Sequence, residues 1–261
     1  MDRAVIADTY SFIGFSFCKA LLDQGVTVIG INEINDAFIL DKQLEIGRNA
    51  NFTETDLTAA EILIDKESFI FVDLYSMFVD GLLPTNKLFT DFLSLIKNVE
   101  NKVVLTLPIQ WLSVDSPFIK EIKSMRNKVY SYYLPTVYGP FQPKSLLFQQ
   151  AFLMKMKQCD QMKLNYQEWR HDAIYIEDVT DAILFSVKND LPDERVLKSS
   201  IDNHWLKCAQ YLDVEKDLNN ESAIIDGNEG RKIKSLIVKN RWGLHESLDK
   251  QREHLSFLLN S

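Results

Sequence analysis

Cysteine is scarce: the 261 residues hold three, Cys18, Cys159 and Cys208, far apart and without a Cys-x-x-Cys spacing. That argues against a disulfide framework and a thiolate zinc site, and fits reduced cytosol. No stretch reaches the roughly 20 apolar residues that span a bilayer, so no membrane partner is expected. The opening residues run from Met1 straight into Ala4-Val5-Ile6-Ala7 with Arg3 as the only basic residue, so export is not expected and a cytoplasmic location is. Positive charge is also short. With 29 basic against 37 acidic residues the net charge is −8, which repels phosphate backbones and makes nucleic acid an unexpected partner. The nearest approach to a basic cluster, Arg231-Lys232-x-Lys234 with Lys239 and Arg241, reads as a solvated face. His204, His245 and His254 lack metal-ligand spacing, so no metal is expected. No Gly-x-Ser-x-Gly elbow supports a hydrolase. Internal repeats and low-complexity segments are absent as well.

What the chain does have is alternation. Apolar runs at 3–7, 26–31, 69–72, 103–107 and 129–134 read as buried parallel strands, with Phe52 leading a further segment to Asp56. Segments with helical spacing lie between them at 12–22, 59–64, 88–96 and 116–125. Strands alternating with helices imply right-handed crossovers. The expected fold is therefore α/β, a Rossmann-like doubly wound parallel sheet. Residues 1–140 form the nucleotide-binding-type domain. Residues 141–261 form a smaller substrate-side lobe, interleaved with returning elements at 171–187 and a C-terminal helix. The lobe itself is expected mainly from 141–170 and 190–240.

In such sheets a dinucleotide lies across the carboxyl ends of the first strands, its pyrophosphate on the amino end of the first helix. Here the connecting turn is Ala7-Asp8-Thr9-Tyr10-Ser11-Phe12-Ile13-Gly14. It resembles the Gly-x-x-Gly-x-x-Gly turn of the extended short-chain dehydrogenases/reductases, the NAD-dependent epimerase/dehydratase family, with Phe12-Ile13-Gly14 retained and Asp8 and Ser11 at the first two glycines. The resemblance continues in Thr136-Val137-Tyr138-Gly139-Pro140, in His171-Asp172-Ala173-Ile174-Tyr175-Ile176-Glu177-Asp178-Val179, and in Arg241-Trp242-Gly243-Leu244 followed by Ser247-Leu248-Asp249. Together these blocks cover nearly the whole chain in the family's order.

The resemblance implies cofactor-binding positions at Asp8, Ser11, Phe12, Ile13 and Gly14, at Asn32 followed by Glu33 for the adenosine ribose, and at Asp56-Leu57 near the adenine. Asp56 reads equally well as a helix N-cap. Substrate-side positions are Thr136, Tyr138, Arg170 and His171, with histidine at the family's diphosphate-binding arginine. The family's chemistry depends on a Tyr-x-x-x-Lys pair and a strand-end hydroxyl. Pro108 takes the hydroxyl position and Thr106, nearby on the strand, reads as packed. Residues 108–128 are too few for the usual long helix. Ser116-Pro117 opens what remains, and if Phe118 stands at the tyrosine, Ile122 stands at the lysine, with Lys123 about 100° around the helix.

Catalytic residues are therefore expected to be none. An Asp8 carboxylate some 4 Å from a diphosphate costs on the order of several kcal/mol before screening, so no cofactor is expected to bind tightly; NAD(P) is the one the cleft would take, and Asp8→Gly with Ser11→Gly is expected to restore part of the binding. Two function classes follow. One is a non-catalytic binding, scaffold or partner subunit with a small nucleotide or nucleotide-sugar ligand. The other is an active oxidoreductase, epimerase or dehydratase with an altered site. The family dimerises through two helices per subunit, and the shortened one implies a monomer or a weakened homodimer, with a partner protein as the further expectation.

Overall fold

A computed structural model of the chain describes residues 1–32, 38–81, 87–97, 100–112, 117–125, 127–191, 194–214 and 233–260. Glu33, Ser116, Arg231 and Lys232 lie outside them. The strands are β1 (Arg3–Ala7), β2 (Thr27–Ile31), β3 (Phe52–Thr55), β4 (Phe69–Asp73), β5 (Lys102–Pro108), β6 (Val129–Leu134), β7 (Thr136–Tyr138), β8 (Ala173–Tyr175), β9 (Glu194–Ser199) and β10 (Lys234–Val238). The helices are α1 (Phe12–Asp23), α2 (Ile39–Ile46), α3 (Leu57–Leu63), α4 (Leu74–Val79), α5 (Lys87–Lys97), α6 (Pro117–Ser124), α7 (Leu147–Lys155), α8 (Ile176–Lys188), α9 (His204–Tyr211) and α10 (Leu244–Asn260).

Eight strands form one sheet in the order β10-β9-β6-β5-β4-β1-β2-β3, and β7 and β8 form a second, two-stranded sheet. Every described pairing is parallel. Strand order reverses between β1 and β4, which places the crevice of a doubly wound sheet at their carboxyl ends.

The sheet is covered on both faces because its strands are apolar on both. Along β1, Ala4 and Ile6 pack with α1, α7, α8, α9 and α10, whereas Val5 and Ala7 pack with α3, α5 and α6 on the other side. On β4, Phe69 and Phe71 take the first face and Ile70 and Val72 the second. This period of two, repeated in strand after strand, makes three layers. Each fully buried aliphatic or Phe side chain contributes roughly 1.5–3 kcal/mol. Helices α1 and α8 lie side by side in the first layer, tied by the Ser16 and Thr180 hydroxyls at 2.7 Å and by Lys188 donating to the Gln24 side chain.

Two helices and part of the sheet differ from the pattern in the sequence. Helix α2 is turned against its polarity: Lys42 is fully buried, while Leu40 and Leu44 are 70% and 83% exposed. Helix α4 springs directly from β4, capped by Asp73, and lies between the 69–72 strand and the 88–96 helix that the sequence pattern gives. Strands β9 and β10 extend the main sheet through pairing with β6 and with each other. The 190–240 segment, expected in the lobe, therefore supplies two strands of the large sheet. Their outer positions are polar, which hides the alternation.

Candidate functional site

The turn from β1 into α1 keeps its shape without its first glycine. Asp8 adopts φ +56°, a left-handed conformation that aspartate tolerates better than most residues because its short side chain can bond locally. Thr9 closes the turn, its hydroxyl donating to Ile6 O at 3.1 Å and its N–H to Ile31 O at 3.3 Å. Ser11 is the N-cap of α1, accepting from Gly14 N at 3.1 Å. Gly14 is required by space, since a Cβ there would stand 2.5 Å from Asp8 O and 2.6 Å from Ser11 Oγ.

The amino end of α1 faces an internal carboxylate. Asp73, the last residue of β4, is 3% exposed. Its Oδ2 accepts from Ser11 Oγ at 2.8 Å and from Ile13 N at 3.3 Å; its Oδ1 accepts from Thr106 Oγ at 2.9 Å and from Ser76 N at 3.0 Å. One side chain thus caps α4 and stands at the head of α1. Ile13 N also reaches Ser76 Oγ at 3.2 Å. The helix end carries a partial positive charge and unpaired N–H groups that in dinucleotide folds meet a phosphate. Here the second and third N–H groups of α1 are taken by Asp73, Ser76 and Ser11.

Beside this turn, Asn32 at the end of β2 accepts from Tyr10 N at 3.3 Å and donates to Glu54 Oε1 at 3.1 Å, and the Tyr10 hydroxyl donates to Glu54 Oε2 at 2.7 Å. Burial, then the bond to Glu54, push the Tyr10 hydroxyl well above its ordinary pKa. The buried Lys42 ammonium donates to Tyr10 O at 2.6 Å and lies 5.2 Å from the Phe141 ring centroid. The structure therefore gathers Asp8, Ser11, Phe12, Ile13, Gly14 and Asn32 at the switch point. Asp56 is the N-cap of α3, accepting from Ala59 N at 2.8 Å, with Leu57 as the helix's first residue.

The positions that the resemblance implies for catalysis carry apolar or structural groups. The Thr106 hydroxyl is committed to Asp73, and Pro108 closes β5. Phe118 lies in α6, its side chain outside what the structure describes, and Ile122 is fully buried. No Tyr-x-x-x-Lys occurs anywhere in the sequence.

On the substrate side, Thr136 donates to Trp169 O at 2.6 Å, which holds the segment bearing Arg170 and His171 against β7. The exposed His171 ring packs on Trp169 at 4.8 Å. Tyr138 points elsewhere: it is fully buried, its hydroxyl 2.7 Å from Ser247 Oγ and 3.2 Å from His204 Nε2. Burial holds His204 down to a pKa of about 4. Glu168 anchors the same segment from below, accepting from Leu147 N at 2.9 Å and Trp205 Nε1 at 3.0 Å, and burial pushes its carboxyl up to about 7.

The sequence pattern singled out neither Asp73 nor its role, nor Tyr10, Glu54 and Lys42. The signal for Asp73 was present as Asp73-Leu-Tyr-Ser76, a side-chain cap before a short helix.

No protein-family model matches the chain, and no curated protein matches it in sequence. Solved structures match along nearly its whole length. UDP-glucuronic acid 4-epimerase from Bacillus cereus, in complex with NAD, aligns at a TM-score of 0.68 with 13% identity, covering 98% of this chain and 99% of that one. dTDP-glucose 4,6-dehydratase from Bacillus anthracis, in complex with NAD, gives 0.65 with 12% identity, covering 98% and 97%. UDP-glucose 4-epimerase from Thermotoga maritima, with UDP-glucose, gives 0.65 with 15% identity, covering 98% and 99%. The chain has the fold of these NAD-dependent epimerases and dehydratases, the architecture that the sequence resemblance implies. At such identities the likeness is one of fold.

Proposed function

We propose that this chain is a non-catalytic protein on the epimerase/dehydratase fold, acting as a binding or partner subunit that does not hold NAD(P) tightly. The observation that carries the reading is the Asp73 carboxylate at the head of α1. Its Oδ2 stands on Ile13 N–H and Ser11 Oγ, so a diphosphate would have to displace an anion already hydrogen-bonded there. The displaced carboxylate would lose charge-assisted bonds worth roughly 1.5–3 kcal/mol each. Each 1.4 kcal/mol is about tenfold in affinity, so a micromolar site becomes millimolar or weaker. The Asp8 side chain at the first glycine position works in the same direction.

These residues do not fit the diphosphate of a dinucleotide, and no reaction step is assigned through one. The chain's own groups agree. With phenylalanine and isoleucine at the implied tyrosine and lysine positions, neither of those two side chains can take a proton from a substrate hydroxyl.

Isothermal calorimetry tests the reading. Neither NAD nor NADP is expected to give a saturable signal up to 1 mM, a concentration chosen about a thousandfold above a micromolar site. Asp8→Gly with Ser11→Gly leaves Asp73 against the helix end, so recovery is expected only when Asp73→Ser is added. A micromolar dissociation constant for the unaltered chain would overturn the proposal and favour an active enzyme with an altered site.

A further inference from the structure

Strand β10 ends the large sheet, five strands from β1, and no described strand pairs with its outer side. Its backbone polarity follows from one bond. Ser200 N donates to Val238 O at 3.2 Å, so Val238 turns its backbone groups toward β9. Along a strand successive residues turn theirs to alternate sides, which leaves Ser235 and Ile237 directing two N–H and two C=O groups outward. Ile237 is also 56% exposed, an apolar side chain beside the open edge. An unpaired edge of this kind is where an added strand attaches.

The edge is positive on a chain of net charge −8. Strands β9 and β10 together carry Arg195, Lys198 and Lys234 against one carboxylate, Glu194, and Lys239 follows β10 directly. Arg195 and Lys234 stand opposite each other in the register, a like-charge pair that weakens the pairing. The Arg195 Nε is buried and has no hydrogen-bond partner. Among the described residues none of these four cations has an ion-pair partner. The surrounding carboxylates are committed elsewhere. Glu194 accepts from the Tyr133 hydroxyl at 2.9 Å, and Asp172, in the field of Lys198, accepts from Ser199 N and Ala173 N at 2.8 Å. Asp190 pairs with Lys128, and Glu177 and Asp181 pair with Arg241. Asp202 and Lys207, next along the chain, add one charge of each sign. Lysines on a sheet edge repel the same edge of a second copy, whereas an acidic strand is attracted.

We infer that the β10 edge takes an extended acidic segment of a partner protein as an added strand, its backbone on Ser235 and Ile237 and its carboxylates toward Arg195, Lys234 and Lys239. Five strand spacings, about 24 Å, separate this edge from the β1–α1 turn, and the inference does not depend on the dinucleotide reading above.

The test uses the full chain with two fluorescein-labelled, end-capped peptides, one of alternating Glu and Val and one of alternating Lys and Val, followed by fluorescence anisotropy. The Glu-Val peptide is expected to bind saturably in roughly the 0.1–1 mM range for a short chain that must order on the edge. The Lys-Val peptide is expected to bind at least about tenfold more weakly. Bound Glu-Val peptide is expected to slow hydrogen exchange at the Ser235 and Ile237 amides, which attraction of charge alone leaves unchanged. Ile237→Pro removes an outward N–H at an edge, where proline is tolerated, and is expected to abolish binding with the melting temperature kept. Lys234→Glu with Lys239→Glu, both at exposed positions, is expected to reverse the preference between the peptides, and it decides the matter if the proline variant does not fold. Equal binding of the two peptides, no saturation, or saturation with both amides exchanging as before would refute the edge as an acidic-strand site. Self-association that Ile237→Pro abolishes, with no peptide bound, would refute it too and place a second copy on the edge.

Discussion

Removing the Asp73 carboxylate should destabilise the fold far more than a single surface change. Two hydroxyls and two backbone N–H groups, from Ser11, Thr106, Ile13 and Ser76, converge on its oxygens. In Asp73→Ala all four lose this acceptor in a site that is 3% exposed. Leaving a buried donor unsatisfied costs about 1–3 kcal/mol. The terms do not add, because Ile13 N retains Ser76 Oγ at 3.2 Å and hydroxyls can turn to other acceptors. The net expectation is about 3–5 kcal/mol, a large share of the roughly 5–15 kcal/mol by which a domain is stable. Asp73→Asn discriminates further. An amide offers one oxygen and one NH₂, so it can cap α4 or face α1 but cannot do both, and one helix end meets a donor. Its expected cost is about 2 kcal/mol, the sum of a lost charge-assisted bond and a weakened dipole interaction. Urea unfolding followed by circular dichroism reads both, provided that the slope with urea stays constant. If Asp73→Ala lies within about 1 kcal/mol of the parent, the carboxylate is not the junction described.

Gly14→Ala places a methyl 2.5 Å from Asp8 O and is expected to cost about 1–3 kcal/mol by overpacking, visible as a lower melting temperature; an unchanged melt would mean that the turn can yield. Tyr10→Phe removes the bond to Glu54 and is expected to cost about 1 kcal/mol in the same urea assay. Glu168, raised by burial to about 7 from an ordinary 4.5, binds its proton more tightly folded than unfolded. Its contribution is complete below pH 4.5 and is lost as pH rises through about 7, so Glu168→Gln should flatten the fall in urea midpoint between pH 5 and 8. His204 runs the opposite way: lowered by burial to about 4 from 6.5, it destabilises as pH falls from 6.5 toward 4, and His204→Asn should remove that acid limb. Parallel pH profiles in parent and variant would contradict either assignment.

The sheet was legible because its strands carry apolar residues on both faces, and the end of β4 through β6 reads directly from 69–72, 103–107 and 129–134. The α2 helix was not legible, since its buried face centres on Lys42 and its leucines point outward. The β1–α1 turn was legible in position and in the spatial need for Gly14, yet the residue that decides its electrostatics sits some sixty positions away on β4. Such a pairing is created by the strand order, and periodicity within one segment carries no trace of it. The capping half of the Asp56 reading was legible because it rests on a local bond, Ala59 N to Asp56 Oδ1. Tyr138 matched a family block, but its hydroxyl joins Ser247 and His204 in the interior, a destination that depends on α9 and α10 returning to the same place.

The side-by-side run of α1 and α8 has a mechanical consequence. Ser16 meets Thr180 and Gln24 meets Lys188 at the same separation of 164 positions, so the two parallel helices are matched residue for residue from their middles to their ends. Sliding one past the other must break both ties together and lift the packed aromatic residues out of register. Two ties at one offset therefore oppose shear along the seam.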